Sequence, residues 1–384
     1  MTYRIPKLRL AVAGASLAVL AIAGGSVAAQ DNTSDQPEPN LEEKAGPPPE
    51  ALYAKTEQAP VDLYHLAPIP DYTPKKTPWG DPDLRGMWPI DSLGGLPLQR
   101  TEAQGNRVYL TDEEFAQREG RMEASREAAS KETNAGKLGM GNWVEMTGAG
   151  RRTSLLVDPA NGRLPELTPY GKHMQAIGRS SWISGQTYDW TTDFDSWDRC
   201  ITRGFPASMF PFRYNNGVAI YQSPGFVVVD LEMIHDARVI PIEKDGQHND
   251  PRVKEYMGDS IGHWEGNTLV VDTTNIKSGA SPLNMATIGA PFGNTVPMSD
   301  QAHVTERFTM AGPDTLVYSM TYTDPVVYTK PYTIRMDIPR NSDYEFYEYA
   351  CHEGDVQVRN YIKASRAQRA KYAAAETVAI REGN

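Results

Sequence analysis

Apolar and polar residues alternate along the last third of the chain, between short turn signals. Tyr332, Ile334, Met336 and Ile338 are interleaved with Thr333, Arg335 and Asp337. Leu316, Tyr318, Met320 and Tyr322 are interleaved with Thr315, Val317, Ser319 and Thr321, Val317 being the exception. A period of two marks strands of an antiparallel sheet with one buried and one solvated face. The same pattern predicts strands at Val218–Gln222 and Phe226–Leu231, the latter continuing or re-entering as Met233–Pro241. Further strands are predicted at Gly262–Trp264, Thr268–Thr274, His303–Met310, Thr315–Thr323, Tyr332–Ile338 and Tyr344–His352. Roughly eight or nine strands in sequential order, joined by short turns, predict an up-and-down meander over 216–354. Such a meander loses its exposed edges by closing into a lipocalin-like barrel, and a two-sheet sandwich is the alternative. The fold class is therefore mainly β, with flanking helices.

The helices carry their own signals. Thr111 and Glu114 form a capping box ahead of a highly charged helix running to about Glu132. Thr168-Pro169 opens a second helix, and an Ala/Lys/Arg/Gln-rich run from about Asp355 to Thr377 forms a third. Segment 61–215 reads as a mixed arm with helices packing on the β region, and 355–384 as the C-terminal helix.

At the other end, Arg4, Lys7 and Arg9 precede an apolar run from Leu10 to Ala23, and Val27-Ala28-Ala29 completes a cleavage-site pattern. Residues 1–29 thus read as a secretory signal peptide. The run is broken by glycines and falls short of the ~20 residues of a spanning helix, which disfavours an uncleaved anchor. Residues 30–60, rich in Pro and acidic or amide side chains, hold too little apolar surface to fold and read as an acidic tether. A periplasmic or secreted location follows. The two cysteines, Cys200 and Cys351, then read as a disulfide rather than as a nucleophile and a bystander.

The formal net charge of −11 makes the chain a poor partner for nucleic acid or anionic membrane. Removing 1–29 takes away three positive charges and no negative one. No Gly-rich phosphate loop follows a strand, and no G-x-S-x-G is present, so no cofactor and no serine nucleophile are predicted. His235, His248, His263, His303 and His352 lie scattered without metal-ligand spacing, and no metal is predicted.

Strand parity nominates an inward polar set. Val227, Val229, Leu231, Met233, His235, Ala237 and Val239 share the oily parity, leaving Asp230, Glu232, Asp236 and Arg238 to face water. Glu306 sits in the oily parity with Val304, Phe308 and Met310. Tyr344, Phe346, Glu348, Ala350 and His352 share a face, opposite Cys351. Taken singly, each of these has a plainer role as a satisfied core or solvated residue. Together His235, Glu306, Glu348 and His352 form a candidate catalytic group, with Arg199 to steady an oxyanion. Tyr318, Tyr322, Tyr332, Tyr344, Phe346, Trp264 and Trp88 would line the substrate space. The function expected is cofactor-free acid–base chemistry of lyase, isomerase or hydrolase type on a hydrophobic or aromatic small molecule. The alternatives are a non-catalytic lipocalin-like carrier of a lipophilic molecule and a solid envelope-interaction protein.

Several segments also carry a resemblance. They are Asp198-Arg199-Cys200-Ile201, Glu232-Met233-Ile234-His235-Asp236-Ala237-Arg238, Trp264-Glu265-Gly266-Asn267-Thr268-Leu269-Val270-Val271 and Tyr347-Glu348-Tyr349-Ala350-Cys351-His352-Glu353-Gly354. Together with Met257-Gly258-Asp259-Ser260 and Glu306-Arg307-Phe308, they resemble a large, mostly uncharacterised family of exported bacterial proteins. The resemblance implies grouping and compartment rather than mechanism. Gly86-Met87-Trp88 resembles the G-x-W of the first lipocalin strand, which favours a lipocalin-like barrel slightly.

Overall fold

The computed structural model describes residues 62–136, 145, 148, 150–243, 246–291 and 293–381. The predicted signal peptide and tether lie outside the described residues. Among the described residues twelve strands are formed: β1 (Gly86–Met87), β2 (Leu156–Asp158), β3 (Val218–Ser223), β4 (Phe226–Leu231), β5 (Ala237–Pro241), β6 (Asp259–Glu265), β7 (Thr268–Thr274), β8 (Gly279–Asn284), β9 (Thr295–Met298), β10 (His303–Gly312), β11 (Thr315–Thr323) and β12 (Tyr332–Pro339). Three helices accompany them: α1 (Asp112–Asn134), α2 (Pro169–Ile177) and α3 (Val356–Arg381). Among the described residues no helix is long and apolar enough to cross a membrane.

The strands form three antiparallel sheets with orders β1-β3-β4-β5, β2-β12-β11-β10-β7-β6 and β8-β9. The fold is thus mainly β and antiparallel, and none of the three sheets closes on itself as a barrel. In the six-stranded sheet the predicted parity holds. Val304, Glu306, Phe308 and Met310 of β10, and Leu316, Tyr318, Met320 and Tyr322 of β11, are all buried. Their register pairs Glu306 with Met320 and Phe308 with Tyr318. Tyr332, Ile334, Met336 and Ile338 of β12 complete that face.

The four-stranded sheet departs from the pattern. The run from Phe226 to Pro241 folds back on itself, and Asp230 pairs with Ala237 across a hairpin. The turn between them holds Ile234 at φ 62° and His235 at φ 56°. A β-branched residue rarely takes that conformation, which is why the sequence shows no turn there. The return strand emerges with its faces exchanged: Arg238 and Ile240 are buried, while Val239 is 61% exposed. The expected seaward residues Glu232 and Arg238 are therefore interior.

The predicted last strand also fails to form. Residues 344–350 have no regular structure and lead into a short 3-10 turn, Cys351–Gly354. The buried Glu232 carboxylate accepts from Tyr344 Oη (2.7 Å), the Tyr347 amide (3.0 Å), the Gly217 amide (2.9 Å) and Asn215 Nδ2 (3.0 Å). The bonds from Tyr344 and Tyr347 pin the segment as a strap, while those from Gly217 and Asn215 hold the carboxylate in place. Gly217 makes room for it, since a Cβ there would stand 2.8 Å from Glu232 Oε2 and from the Phe346 ring. Cys200 and Cys351 form the expected disulfide, anchoring the strap at its far end.

Side chains from all three sheets meet in one apolar cluster, which includes Trp88, Ile220, Val229 and Ile240 with Leu269, Phe308, Tyr318, Tyr322 and Met298. The four- and six-stranded sheets touch through a parallel bridge between Ile242 and Gly262. Near the other edge the Asn341 amide donates to Met87 O at 3.1 Å.

Candidate functional site

The inward polar set does not assemble. Glu306 alone lies where parity puts it, wholly buried. It is sealed by the Arg238 guanidinium, which donates at 2.8 and 2.6 Å to its two oxygens, and by the Tyr318 hydroxyl at 2.9 Å. Arg238 also donates to Ser260 Oγ (3.0 Å) and Thr273 Oγ1 (3.2 Å), and lies 4.0 Å over the Phe205 ring. A buried carboxylate demands a partner, and the exchanged faces of β5 supply one. This is a closed structural network with no route for a substrate.

His235 is exposed on the hairpin turn, and Glu348 and His352 are exposed on the strap. None of the three reaches Glu306. The intended lining is filled space: Tyr318, Tyr322 and Tyr332 have no accessible surface. Tyr322 and Tyr332 stack with centroids 5.2 Å apart. Trp88 is buried likewise, its indole N–H donating to Leu84 O at 2.9 Å. Trp264 and Tyr344 are half-buried, and Phe346 is exposed on the strap. Arg199 lies elsewhere, at the edge of a cleft, with Nε donating to Asp195 O at 3.1 Å.

The structure instead gathers titratable groups on the polar face of the six-stranded sheet. Asp272 of β7 stands between two histidines. His303 Nε2 of β10 approaches its Oδ2 at 2.5 Å, and His248 Nε2 approaches its Oδ1 at 2.9 Å. The other ring nitrogen of His248 lies 3.1 Å from Asp259 Oδ2 of β6. Asn249 fixes Asp259 in turn, through its amide (2.6 Å) and its Nδ2 (3.1 Å). The register places Thr305 of β10 opposite Asp272, so His303 reaches it on the diagonal. The four groups form a line, and among the described residues no three or more such side chains are placed to hold a metal ion.

The electrostatics follow from this order. The hydrogen bond to Asp272 raises the His303 pKa above the usual imidazole value, against a smaller opposing effect of burial. Burial acts to raise the Asp272 carboxyl, but the bonds from His303 and His248 outweigh it and hold the pKa below the usual range. His303 is 41% exposed at its side chain, so the imidazole is held on one side and open to solvent on the other. A ring fixed through one nitrogen by a carboxylate is a base with its tautomer set.

Strand parity nominates only polar residues on the oily faces, and His303, Asp272 and Asp259 lie on the opposite faces of their strands, with His248 on a loop. The signal available was a histidine and two acids of that parity on strands that neighbour one another. Only the pairing order β10-β7-β6 reveals that they meet.

Comparison of the chain with protein-family models, with curated proteins and with solved structures gives no match in any of the three.

Proposed function

We propose that this chain performs cofactor-free general acid–base chemistry at the His303–Asp272–His248–Asp259 line, with His303 as the base. The observation that carries the reading is the 2.5 Å contact between His303 Nε2 and Asp272 in a half-exposed setting. With Nε2–H donating to Asp272, the lone pair of Nδ1 accepts a proton from water or a substrate group. Asp272 then stabilises the imidazolium formed. His248, bonded to carboxylates through both ring nitrogens, keeps Asp272 in position and joins it to Asp259. A carrier with an apolar lumen has less support, because aromatic side chains occupy that space.

The test is a screen of aryl esters, lactones and enolisable ketones for turnover. His303→Ala and Asp272→Asn are each expected to lower the rate by about 10²–10⁴-fold. Wild-type activity should fall as the pH drops through the His303 titration. Undiminished turnover in His303→Ala would remove the reading.

Three further proposals accompany it. The chain is a member of the exported family its motifs resemble. It is exported by the predicted signal peptide, with which the Cys200–Cys351 disulfide is compatible. The four- and six-stranded sheets wrap as an interrupted barrel, a view supported by their shared core and by the contacts at Ile242–Gly262 and Asn341–Met87.

A further inference from the structure

A second feature, independent of the acid–base reading, lies where Arg199 was found. The stretches around Arg179 and Phe194–Arg199, together with β8, line an open cleft of about 220 Å³. Asp195 fastens these three walls to one another. Its Oδ2 accepts from Ser180 Oγ (2.7 Å) and from Asn284 Nδ2 of β8 (2.8 Å), and its Oδ1 accepts from the Asp198 amide (2.7 Å). Ser281 Oγ, also on β8, accepts from the Arg179 amide at 2.8 Å. The cleft is therefore preformed rather than a gap between mobile loops. Every oxygen of Asp195 is engaged in this work, so the carboxyl is a fastening and not a base.

The groups left over are cations and hydroxyls. Arg179, Arg199 and Lys277 all line the cleft. Arg179 has a carboxylate partner in Asp193 at 3.3 Å. Arg199 bonds only a carbonyl, and Lys277 lies 4.5 Å over the Tyr256 ring. Among the described residues neither of these two has an acidic side chain within ion-pair distance. Two buried polar atoms also stand without a partner here, Ser196 Oγ and Arg179 Nε, and Ser196 is only 3% exposed. Folded chains rarely leave buried donors unmatched, and a recurring reason is a group supplied from outside. Phe194, Tyr256 and Pro282 give the same cleft an apolar side.

We propose that this cleft binds a small organic carboxylate. The guanidinium of Arg199 and the Ser196 hydroxyl hold its oxygens, Lys277 supplies further positive charge, and a flat apolar body rests against Tyr256 and Pro282. Guanidinium forks match the two oxygens of a carboxylate, and a preformed pocket spares the ordering cost of binding.

Isothermal titration of the full chain at low salt, with benzoate as probe, tests the assignment. Benzamide serves as the neutral isostere and inorganic sulfate as the bare anion. Saturable benzoate binding is expected, with Arg199→Gln weakening it at least tenfold, Ser196→Ala weakening it several-fold, and benzamide not binding. His303→Ala should bind benzoate as the wild type does, which separates this site from the acid–base one. Absence of benzoate binding, or equal binding by wild type and Arg199→Gln, would overturn the site. Sulfate binding without benzoate binding would overturn the carboxylate assignment. Circular dichroism of both variants guards against misfolding, and Lys277→Gln, on an exposed side chain, gives a second charge-removing variant expected to weaken benzoate binding.

Discussion

Arg238 and Glu306 face each other inside the core, 2% and 0% exposed at their side chains. Removing either partner leaves an uncompensated buried charge. Arg238→Ala or Glu306→Ala should each cost about 3–5 kcal/mol, while the double change Arg238→Met/Glu306→Leu should lie far nearer the wild type. Urea denaturation midpoints measure both, and single variants as stable as the wild type would refute the role given to the pair. Asp236 poses the opposite problem. Burial pushes its carboxyl up to about 6, with the Thr202 hydroxyl and the Arg203 charge pulling partly back. Its unfolded value is ~3.9, so between the two the native state holds the extra proton, and this residue costs stability as the pH rises from about 4 to about 6. Asp236→Asn should therefore gain on the wild type across that window and hold a constant difference above it, as thermal melts at stepped pH would show. His303 works in the other sense: its raised pKa stabilises the fold below ~6.5 and the contribution fades as the pH climbs through the folded value.

Legibility varied from strand to strand for physical reasons. β10, β11 and β12 could be read nearly to the residue because one face is oily along its whole length and the other is polar apart from Val317 and the end residues of the strands. The β4–β5 hairpin could not. Its turn is made by Ile234 and His235, neither of which advertises a left-handed backbone, and so the run looked continuous and assigned His235 to the wrong side. Tyr344–His352 alternates as a strand does, yet two hydrogen bonds from Tyr344 and Tyr347 to one distant carboxylate, Glu232, decide its path. β8 and β9 went unseen because Gly279–Asn284 and Thr295–Met298 are short and include prolines. The candidate centre was illegible for a related reason. Its four side chains come from three strands and a loop, and nothing local to any one of them shows that β7 lies between β6 and β10. The cleft, likewise, left only Arg199 visible beforehand, as one residue of a motif.

The single disulfide spans 151 residues of chain, linking Cys200, next in sequence to the cleft residue Arg199, to the strap at Cys351. A crosslink over so long a loop restricts the unfolded ensemble strongly, and replacing both cysteines by serine should cost about 2–5 kcal/mol. The wild type in reductant should shift its guanidinium midpoint to match the double variant, and an unchanged midpoint in both would show that the bridge adds nothing. The sheets raise a question of timing. β1, near residue 86, completes a sheet begun at residue 218, and β2, near residue 156, waits for β12 past residue 330. A polypeptide emerging from the ribosome cannot finish either edge until most of its length has been made. Docking such distant partners is slow, and a growing chain carries β1 and β2 unpaired until the strands that complete them have been made.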